Sequence, residues 1–281
     1  MPTVTTNTAA NSALRFLNYN AAQSGSSVSK LASGSRIVKA SDDAAGLAIG
    51  TRLLADVTVL RQSAVNAAQG ASVLQVADGG LGRIADVLQR MKALAAQALS
   101  GVPSNTERGF IDAEFQQLMQ EITAMAQTTR FNGDSLLDGT GQSPQSFFVG
   151  SEAGDNITVS YSSLAAAATE FTATGIGLAT AGANVATMTA AASAMGLIDT
   201  AIDTVSEARA TIGGLISRFE FRGQQISTSL ENIEAAKSSI MDVDLAAEQS
   251  KLVSSQVLVQ ASVSALSQAN ELPQSLLRLL Q

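Results

Sequence analysis

Residues Lys30–Leu53, KLASGSRIVKASDDAAGLAIGTRL, combine a loop, a charged helix start and an apolar helix in one short stretch. Ser41, Asp42 and Asp43 stand directly before the alanine-rich apolar run. Side-chain oxygens at a helix start accept hydrogen bonds from free backbone amides, and negative charge there suits the helix dipole. Two adjacent carboxylates are also compatible with a metal site, but their position before an apolar run favours capping. The stretch therefore predicts a loop followed by a long helix, and Asp242 and Asp244 before Leu245 receive the same interpretation.

The C-terminal half carries an apolar stripe typical of a coiled-coil helix, with alternating spacings of four and three residues. The stripe consists of Ile198, Ile202, Val205, Arg209, Ile212, Ile216, Phe219, Gly223, Ile226, Leu230, Ile233, Lys237 and Ile240. A long helix cannot leave such a stripe in water, so packing partners are needed. Two upstream runs have the same spacing: Leu81, Ile84, Leu88, Met91 and Ala95, then Ile111, Phe115, Leu118, Ile122 and Met125. The patterns predict a mainly α fold with three long helices, parallel or antiparallel, in a coiled-coil or bundle rod.

Turn and capping residues divide the rod. Gly101-Val102-Pro103 ends one helix, and Ser104 with Glu107 forms a capping-box pattern that opens the next. Asn132-Gly133 marks a turn, and residues 147–149 and 157–159 read as two strands of a small β-hairpin. Residues 163–194 show little periodicity and are expected to be partly irregular.

Three glycines, Gly79, Gly80 and Gly82, interrupt the first predicted rod helix. They do not form a phosphate-binding loop, because no strand precedes them and no lysine follows at the required spacing. Each glycine costs about 1 kcal/mol in a helix interior. We interpret this cluster either as a site of close helix packing or as a soft point, where the helix is less stable.

Composition excludes most familiar active sites. The 281 residues contain no cysteine, histidine or tryptophan, so disulfides, thiolate chemistry, a histidine base and Cys/His metal sites are all ruled out. Carboxylate, serine and lysine chemistry survive, but no spaced constellation of such residues is found, which argues against a hydrolase. We expect no enzyme activity, no cofactor and no metal.

Charge and hydropathy exclude two further classes of partner. The net charge of −7 argues against a phosphate-binding surface, so nucleic acid is not expected as a partner. No apolar run reaches membrane-spanning length, and we expect no membrane insertion. On these grounds alone, the chain reads as cytoplasmic.

Both ends of the chain resemble bacterial flagellins. At the N-terminal end the matching stretches are Leu31–Gly34, Arg36-Ile37 and Ser41–Ile49; at the C-terminal end they are Arg209–Phe221, Asn232–Leu245 and Ala265–Leu280. The resemblance covers residues 12–138 and 195–281, in the correct order. It implies a structural subunit that self-assembles into the flagellar filament, a helical propeller for swimming.

The resemblance also implies an arrangement of domains. An inner domain is expected from residues 1–43 and 243–281, and a helical rod domain from residues 44–139 and 196–242. Residues 140–195 would form a short variable region with the hairpin, too short for a large outer domain. The alternative within the same class is the hook-filament junction protein, which typically has a proline-flanked version of the Asp42-Asp43 signature; Ala40 and Ala44 favour flagellin. An intracellular coiled-coil adaptor is the third alternative.

The termini carry apolar positions that predict assembly seams. The predicted seam residues are Leu14, Leu17, Val28 and Leu31 at one end, and Leu252, Val259, Val263 and Leu266 at the other. The remaining faces are mostly uncharged and polar, and lone helices of this kind are marginal in water. The hypothesis is that both ends are disordered in the free subunit and fold when neighbouring subunits bury them.

Partners and location follow from the resemblance. It implies a homopolymer with other flagellin subunits, and contacts with the flagellar export apparatus, an export chaperone, the filament cap and hook-junction proteins. Because flagellins leave the cell through that apparatus, the resemblance implies a secreted protein of the extracellular filament.

The helix segment Leu88–Ala98, LQRMKALAAQA, resembles the flagellin surface that the Toll-like innate immune receptor recognises. The positions that match are Arg90, Leu94 and Gln97, together with Glu114 on the next helix. Ala93 departs from the pattern, where an acidic residue is common. An ordinary helix with a solvated Arg90 and Gln97 and a packed Leu94 explains the same residues, and both interpretations stay open.

Overall fold

The computed structural model describes residues 7–139, 144–160, 170–179 and 181–279, with side chains up to residue 271. The helices in this part of the chain are α1 (Thr8–Ser33), α2 (Ala44–Leu99), α3 (Asn105–Thr128), α4 (Met188–Met241) and α5 (Leu245–Leu279). The short strands are β1 (Arg130–Phe131), β2 (Asp134–Ser135), β3 (Gln145–Phe148) and β4 (Asn156–Val159). They form two antiparallel pairs, β1 with β2 and β3 with β4. The predicted mainly α fold with a small β-hairpin is confirmed.

Two compact units divide the chain: Met1–Val57 with Glu231–Gln281, and Thr58–Leu230. The predicted boundaries at residues 43 and 243 lie inside the first unit, and the three predicted domains stay a prediction. Parts of those domains, residues 1–6, 140–143, 161–169, 180, 280 and 281, lie outside the described residues.

The core of the second unit forms where α2 runs antiparallel to α3 and α4. The direction follows from two contacts with each helix: Arg90 contacts Glu114 of α3 while Gly80 lies against Thr129 at its end. Likewise, Lys92 contacts Asp199 of α4 while Asp78 contacts Arg209. The predicted α2 stripe is confirmed, because all of its members are fully buried: Leu81, Ile84, Leu88, Met91 and Ala95. From the predicted α3 stripe, Phe115 and Ile122 are fully buried and the other members are half-buried.

The predicted stripe of α4 is buried at five positions spaced seven residues apart, is half-buried at the other positions except one, and is wrong at Arg209, which is exposed. Ile198, Val205, Ile212, Phe219 and Ile226 are buried as predicted. The alanines buried between these positions are Ala201 and Ala208, whereas Ile202 is half-buried and Arg209 is exposed. Small side chains at these two positions let the neighbouring helix approach, so Arg209 moves to the edge of the interface. There Asp78 accepts a hydrogen bond from Arg209 Nε at 2.9 Å and raises the pKa of that guanidinium.

Helix α2 continues through its glycine cluster. Gly80 lies against the turn that follows α3, where an added Cβ would stand 2.6 Å from Thr129 Oγ1 and 2.9 Å from Leu137 Cδ1. Gly79, its neighbour, has nothing within 4 Å of the same position. Close packing therefore accounts for Gly80, and the predicted soft point is not a break in the helix.

The α2–α3 connection is built as the sequence predicts. Glu107 Oε2 accepts from the Ser104 backbone N–H at 2.6 Å, and Ser104 Oγ accepts from the Glu107 N–H at 3.4 Å, which completes the capping box. The buried Arg108 also joins the start of α3 to the end of α2, because its guanidinium donates to the carbonyls of Ala98 at 2.7 Å and Ser100 at 2.8 Å. These are carbonyls that the end of a helix leaves without partners.

The β-hairpin is fastened to two helices of its unit. Phe147 pairs with Ile157 across the strands, and its ring meets the buried Phe219 of α4 edge to face, with centroids 5.4 Å apart. On α2, Ser63 donates to the Gly150 carbonyl at 2.7 Å and Asn66 donates to the Phe148 carbonyl at 3.0 Å. A two-stranded hairpin is marginal alone, so these contacts supply its support.

Candidate functional site

The signature loop before α2 uses its two aspartates for different tasks. Asp43 Oδ1 accepts from the Gly46 N–H at 2.8 Å and caps the helix, as predicted. The capping prediction is wrong for Asp42, whose Oδ2 accepts from the N–H groups of Lys39 at 3.0 Å and Val38 at 3.1 Å and so closes the preceding loop. These backbone hydrogen bonds hold the pKa of Asp42 below its ordinary value. Within the described residues, no group of three or more metal-ligating side chains is found.

The loop that follows α1 is joined to the linker that follows α4. Gly34 ends α1 in a left-handed conformation with φ 71°, which a glycine adopts without steric cost. The Arg36 N–H donates to the Met241 carbonyl at 2.7 Å, and the Val243 N–H donates to the Gly34 carbonyl at 3.1 Å. The two breaks between helices are therefore fastened to each other through the backbone.

The acidic residues before α5 are correctly predicted at one position only. Asp244 Oδ1 accepts from the N–H groups of Ala246 at 3.0 Å and Ala247 at 3.1 Å, so Asp244 caps the helix. Asp242 instead pairs with Ser35 in an isolated antiparallel bridge. The capping prediction is wrong for Asp242, because that residue belongs to the junction between the two linkers.

Helices α1 and α5 lie antiparallel, and hydrogen bonds join them near both ends. Asn7 Nδ2 donates to the Ala269 carbonyl at 2.7 Å near one end, and Ser27 Oγ donates to Glu248 Oε1 at 2.7 Å near the other. Buried or half-buried positions on α5 repeat at alternating spacings of four and three, as in a coiled coil. They are Glu248, Leu252, Ser255, Val259, Ser262, Leu266 and Ala269.

The predicted seam residues divide into two groups in this pair. Leu252 is buried, and four more are half-buried: Leu17, Leu31, Val259 and Leu266. The other three face outward, with exposed fractions of 45% for Leu14, 49% for Val28 and 51% for Val263. One further set of apolar side chains is exposed on the same helices: Phe16, Tyr19, Leu245, Val253, Val257 and Leu258. The terminal pair thus presents uncovered apolar surface, and the role of these residues in assembly stays a prediction.

The residues of the predicted receptor surface lie together on α2 and α3. Arg90 Nη2 and Glu114 Oε1 form an exposed ion pair at 2.7 Å, and Gln97 is exposed further along α2. Leu94 is buried beneath this surface. The structure therefore brings three polar groups to the surface and leaves Leu94 as a core residue of the rod.

Two structural contacts, one between α1 and α5 and one at the α2–α3 connection, could not be predicted from the sequence. Ser27 and Glu248 lie 221 positions apart, and no local pattern links them. Arg108, three positions after Asn105 and four after Ser104, resembles any basic residue in a first helical turn. Its role depends on where the end of α2 lies in the folded chain, and a single sequence does not give that position.

Comparison with known proteins gives the same family at both ends of the chain. The family profile described as the bacterial flagellin N-terminal helical region matches residues 4–142, and that of the C-terminal helical region matches residues 195–280. A flagellin of Halalkalibacterium halodurans is 36% identical over 275 residues, which cover 98% of each chain. A flagellar filament core protein of Brachyspira hyodysenteriae is 31% identical over 290 residues, covering 99% of each chain.

One solved structure extends the comparison to the fold. A protein described as flagellar and hook-associated, from Vibrio parahaemolyticus, matches with a TM-score of 0.58 and 14% identity. The match covers 72% of this chain and 100% of that one. Identity this low concerns the fold alone and does not favour a hook-associated function. Within the described residues, no helix is both long and apolar enough to cross a bilayer.

Proposed function

Because this chain belongs to the bacterial flagellin family and is a structural subunit of the flagellar filament, we propose that copies polymerise through the apolar side chains exposed on α1 and α5. The observation that carries this proposal is the exposure of Leu14, Val28 and Val263 beside the α1–α5 seam. Apolar area removed from water stabilises by about 25 cal/mol per Å². A repeated, non-closing contact between identical subunits gives a fibre and not a closed ring.

The terminal helices are proposed to pair stably only within the polymer. Their seam contains serine and asparagine where the second unit has fully buried leucine and isoleucine, and their outer apolar residues have no cover in the single chain. Free subunits would then show weak amide protection over residues 7–30, and assembled subunits strong protection. Strong protection of these amides in the free subunit would contradict this part of the proposal.

Seeded growth tests the polymerisation directly. Purified subunits are added to short filament seeds, and filament length is read by negative-stain electron microscopy. Val28→Ser and Val263→Ser should slow growth at least several-fold, since each removes apolar area from the proposed contact. Val102→Ser is the matched control, because Val102 is exposed on the α2–α3 turn and lies far along the chain from the terminal helices. Equal growth of all three variants and the wild type would reject the proposed surface.

Export and partners complete the proposal. The subunit is secreted through the flagellar export apparatus with an export chaperone, and adds to the extracellular filament beneath a cap and beyond hook-junction proteins. Support comes from membership of the family, a family of structural proteins. We expect the chain to appear in the medium of a strain that lacks the filament cap. We expect it to stay inside the cells of a strain that lacks the export apparatus. Retention in both strains would favour an intracellular adaptor.

A second proposed function is recognition by the Toll-like flagellin receptor. The observation in its favour is the exposed Arg90–Glu114 pair with Gln97 nearby on the same helix. Arg90→Ala should reduce receptor activation by the free subunit while leaving the fold intact, since exposed ion pairs contribute about 0–1 kcal/mol. Arg83→Ala, an exposed position on the same helix, is the control.

The buried Leu94 must be treated differently in that experiment. Leu94→Ala should lower the free energy of unfolding by about 2–5 kcal/mol, so any loss of activation has to be separated from loss of structure. Receptor activation that is the same for wild type and Arg90→Ala would reject recognition through this surface.

A further inference from the structure

One carboxylate lies inside the seam between the terminal helices. Glu248 on α5 is only 5% exposed, and it faces Ser27 on α1, which is fully buried. Ser27 Oγ donates to Oε1 at 2.7 Å, and Lys251 Nζ donates to Oε2 at 3.2 Å. Of these two donors, Ser27 alone comes from the opposite helix.

A buried carboxylate is stable in its ionised form only when hydrogen bonds and nearby positive charge compensate for lost hydration. The charged groups that act on Glu248 are Lys251 on its own helix and Lys30 on α1, and both are cations. The hydrogen bond from Ser27, followed by the effects of Lys251 and Lys30, lowers the pKa of Glu248 although burial alone would raise it. The ionised form is therefore the one that binds α1 best.

We propose that Glu248 is a positioning residue that closes α1 on α5 through Ser27, and that the terminal helix pair opens when this carboxylate takes up a proton. The inference deepens the proposed function and rests on it, because it concerns the pair as it exists in the polymer. A group whose pKa is lowered in the closed pair stabilises that pair above its ordinary pKa, and this stabilisation is lost as pH falls through the lowered value.

The experiment reports closure of the pair inside filaments. Ala21 on α1 and Gln260 on α5 are exposed and line the same groove between the helices. The chain has no cysteine, so Ala21→Cys with Gln260→Cys can be labelled uniquely with pyrene. Labelled subunits are diluted into unlabelled ones, so that excimer fluorescence comes from one chain. Filaments are sedimented at each pH, and the excimer signal is divided by the sedimented mass.

The wild-type signal should fall as pH falls. Ser27→Ala should move this fall upward by ~1 pH unit, because hydrogen bonds to charged groups contribute about 1.5–3 kcal/mol and a pKa unit is 1.36 kcal/mol. Glu248→Gln keeps an acceptor for Ser27 but is neutral, like the protonated carboxyl, so its signal should be low already at neutral pH and should not change through the interval in which the wild type falls.

Two matched controls are available on the same helices. Ser29→Ala changes an exposed serine whose hydroxyl donates within its own helix, and Glu271→Gln changes an exposed glutamate of α5. Both should follow the wild-type profile. A wild-type profile for Ser27→Ala or for Glu248→Gln would overturn the inference, and either variant is sufficient if the other does not assemble. Wild-type protein that fails to sediment at neutral pH would instead contradict the proposed polymerisation.

Discussion

At the scale of single residues, two adjacent glycines of α2 have opposite surroundings. Gly80 faces Thr129 and Leu137 with no space for a methyl group, whereas Gly79 faces open space. Both glycines lie in the interior of the same helix, so alanine substitution has the same effect on backbone entropy at each. Any difference between the two variants therefore reports packing.

Substitution of each glycine by alanine should therefore change stability in opposite directions. Gly79→Ala should raise the free energy of unfolding by about 0.5–1 kcal/mol, because alanine restricts the unfolded chain and fits the helix. Gly80→Ala should lower it by about 1–3 kcal/mol through overpacking against the short, branched Thr129. Urea unfolding followed by circular dichroism measures both changes. A Gly80→Ala variant more stable than the wild type would contradict the prediction, because it would show that Thr129 and Leu137 move aside at little cost.

Capping at the residue scale could be predicted from sequence because its partners are near in the chain. Ser104 with Glu107, Asp43 and Asp244 all accept from amides within a few residues, as their patterns indicate. Asp242 has the same local pattern as Asp244 but lies in a bridge to Ser35, which a single sequence does not reveal.

At the scale of helices, the capping box of α3 makes the start of that helix sensitive to pH. The Ser104 N–H and hydroxyl both donate to Glu107 Oε2, and these hydrogen bonds lower the pKa of Glu107. A carboxylate of this kind stabilises the folded state above its ordinary pKa, and the contribution is lost as pH falls through the lowered value.

Glu107→Gln should thus be less stable than the wild type at neutral pH, and the difference should shrink as pH falls. The neutral amide retains an acceptor but loses the charge that strengthens the hydrogen bonds and suits the helix dipole. Urea unfolding from about pH 7 to about pH 3 gives the comparison. Glu121→Gln on the exposed face of the same helix is the control. A difference that is constant with pH would contradict the assignment.

Helix periodicity predicts which elements form but not always which residues face the core. In α4 the seventh-residue positions are the same in both interpretations, and the choice lies between Ile202 with Arg209 and Ala201 with Ala208. Hydrophobicity favours Ile202 over Ala201 but Ala208 over Arg209, so it does not decide between the pairs, whereas close approach of α2 and α4 selects the two alanines. Only the positions of neighbouring helices decide between them.

At the scale of the whole molecule, the two ends of the chain carry both the family resemblance and the proposed assembly surface. The family resemblance of both ends predicts a filament subunit, and profile matches at residues 4–142 and 195–280 confirm the family. The seam residues could be predicted as a set but not divided into inner and outer faces. Leu17 and Leu31 point toward α5 while Leu14 and Val28 do not, because the inner positions also include Ser27 and other polar residues. The outer face is the one available to other subunits.

Protection of Val263 in the filament tests the central claim most directly. In a chain without native cysteine, Val263→Cys should react readily with a maleimide in the free subunit, since Val263 is 51% exposed. In sedimented filaments its rate should fall at least tenfold, whereas Val102→Cys, at a position that is 90% exposed, should react at a similar rate in both states. Equal reactivity of Val263→Cys in free and assembled protein would contradict burial of the terminal helices between subunits.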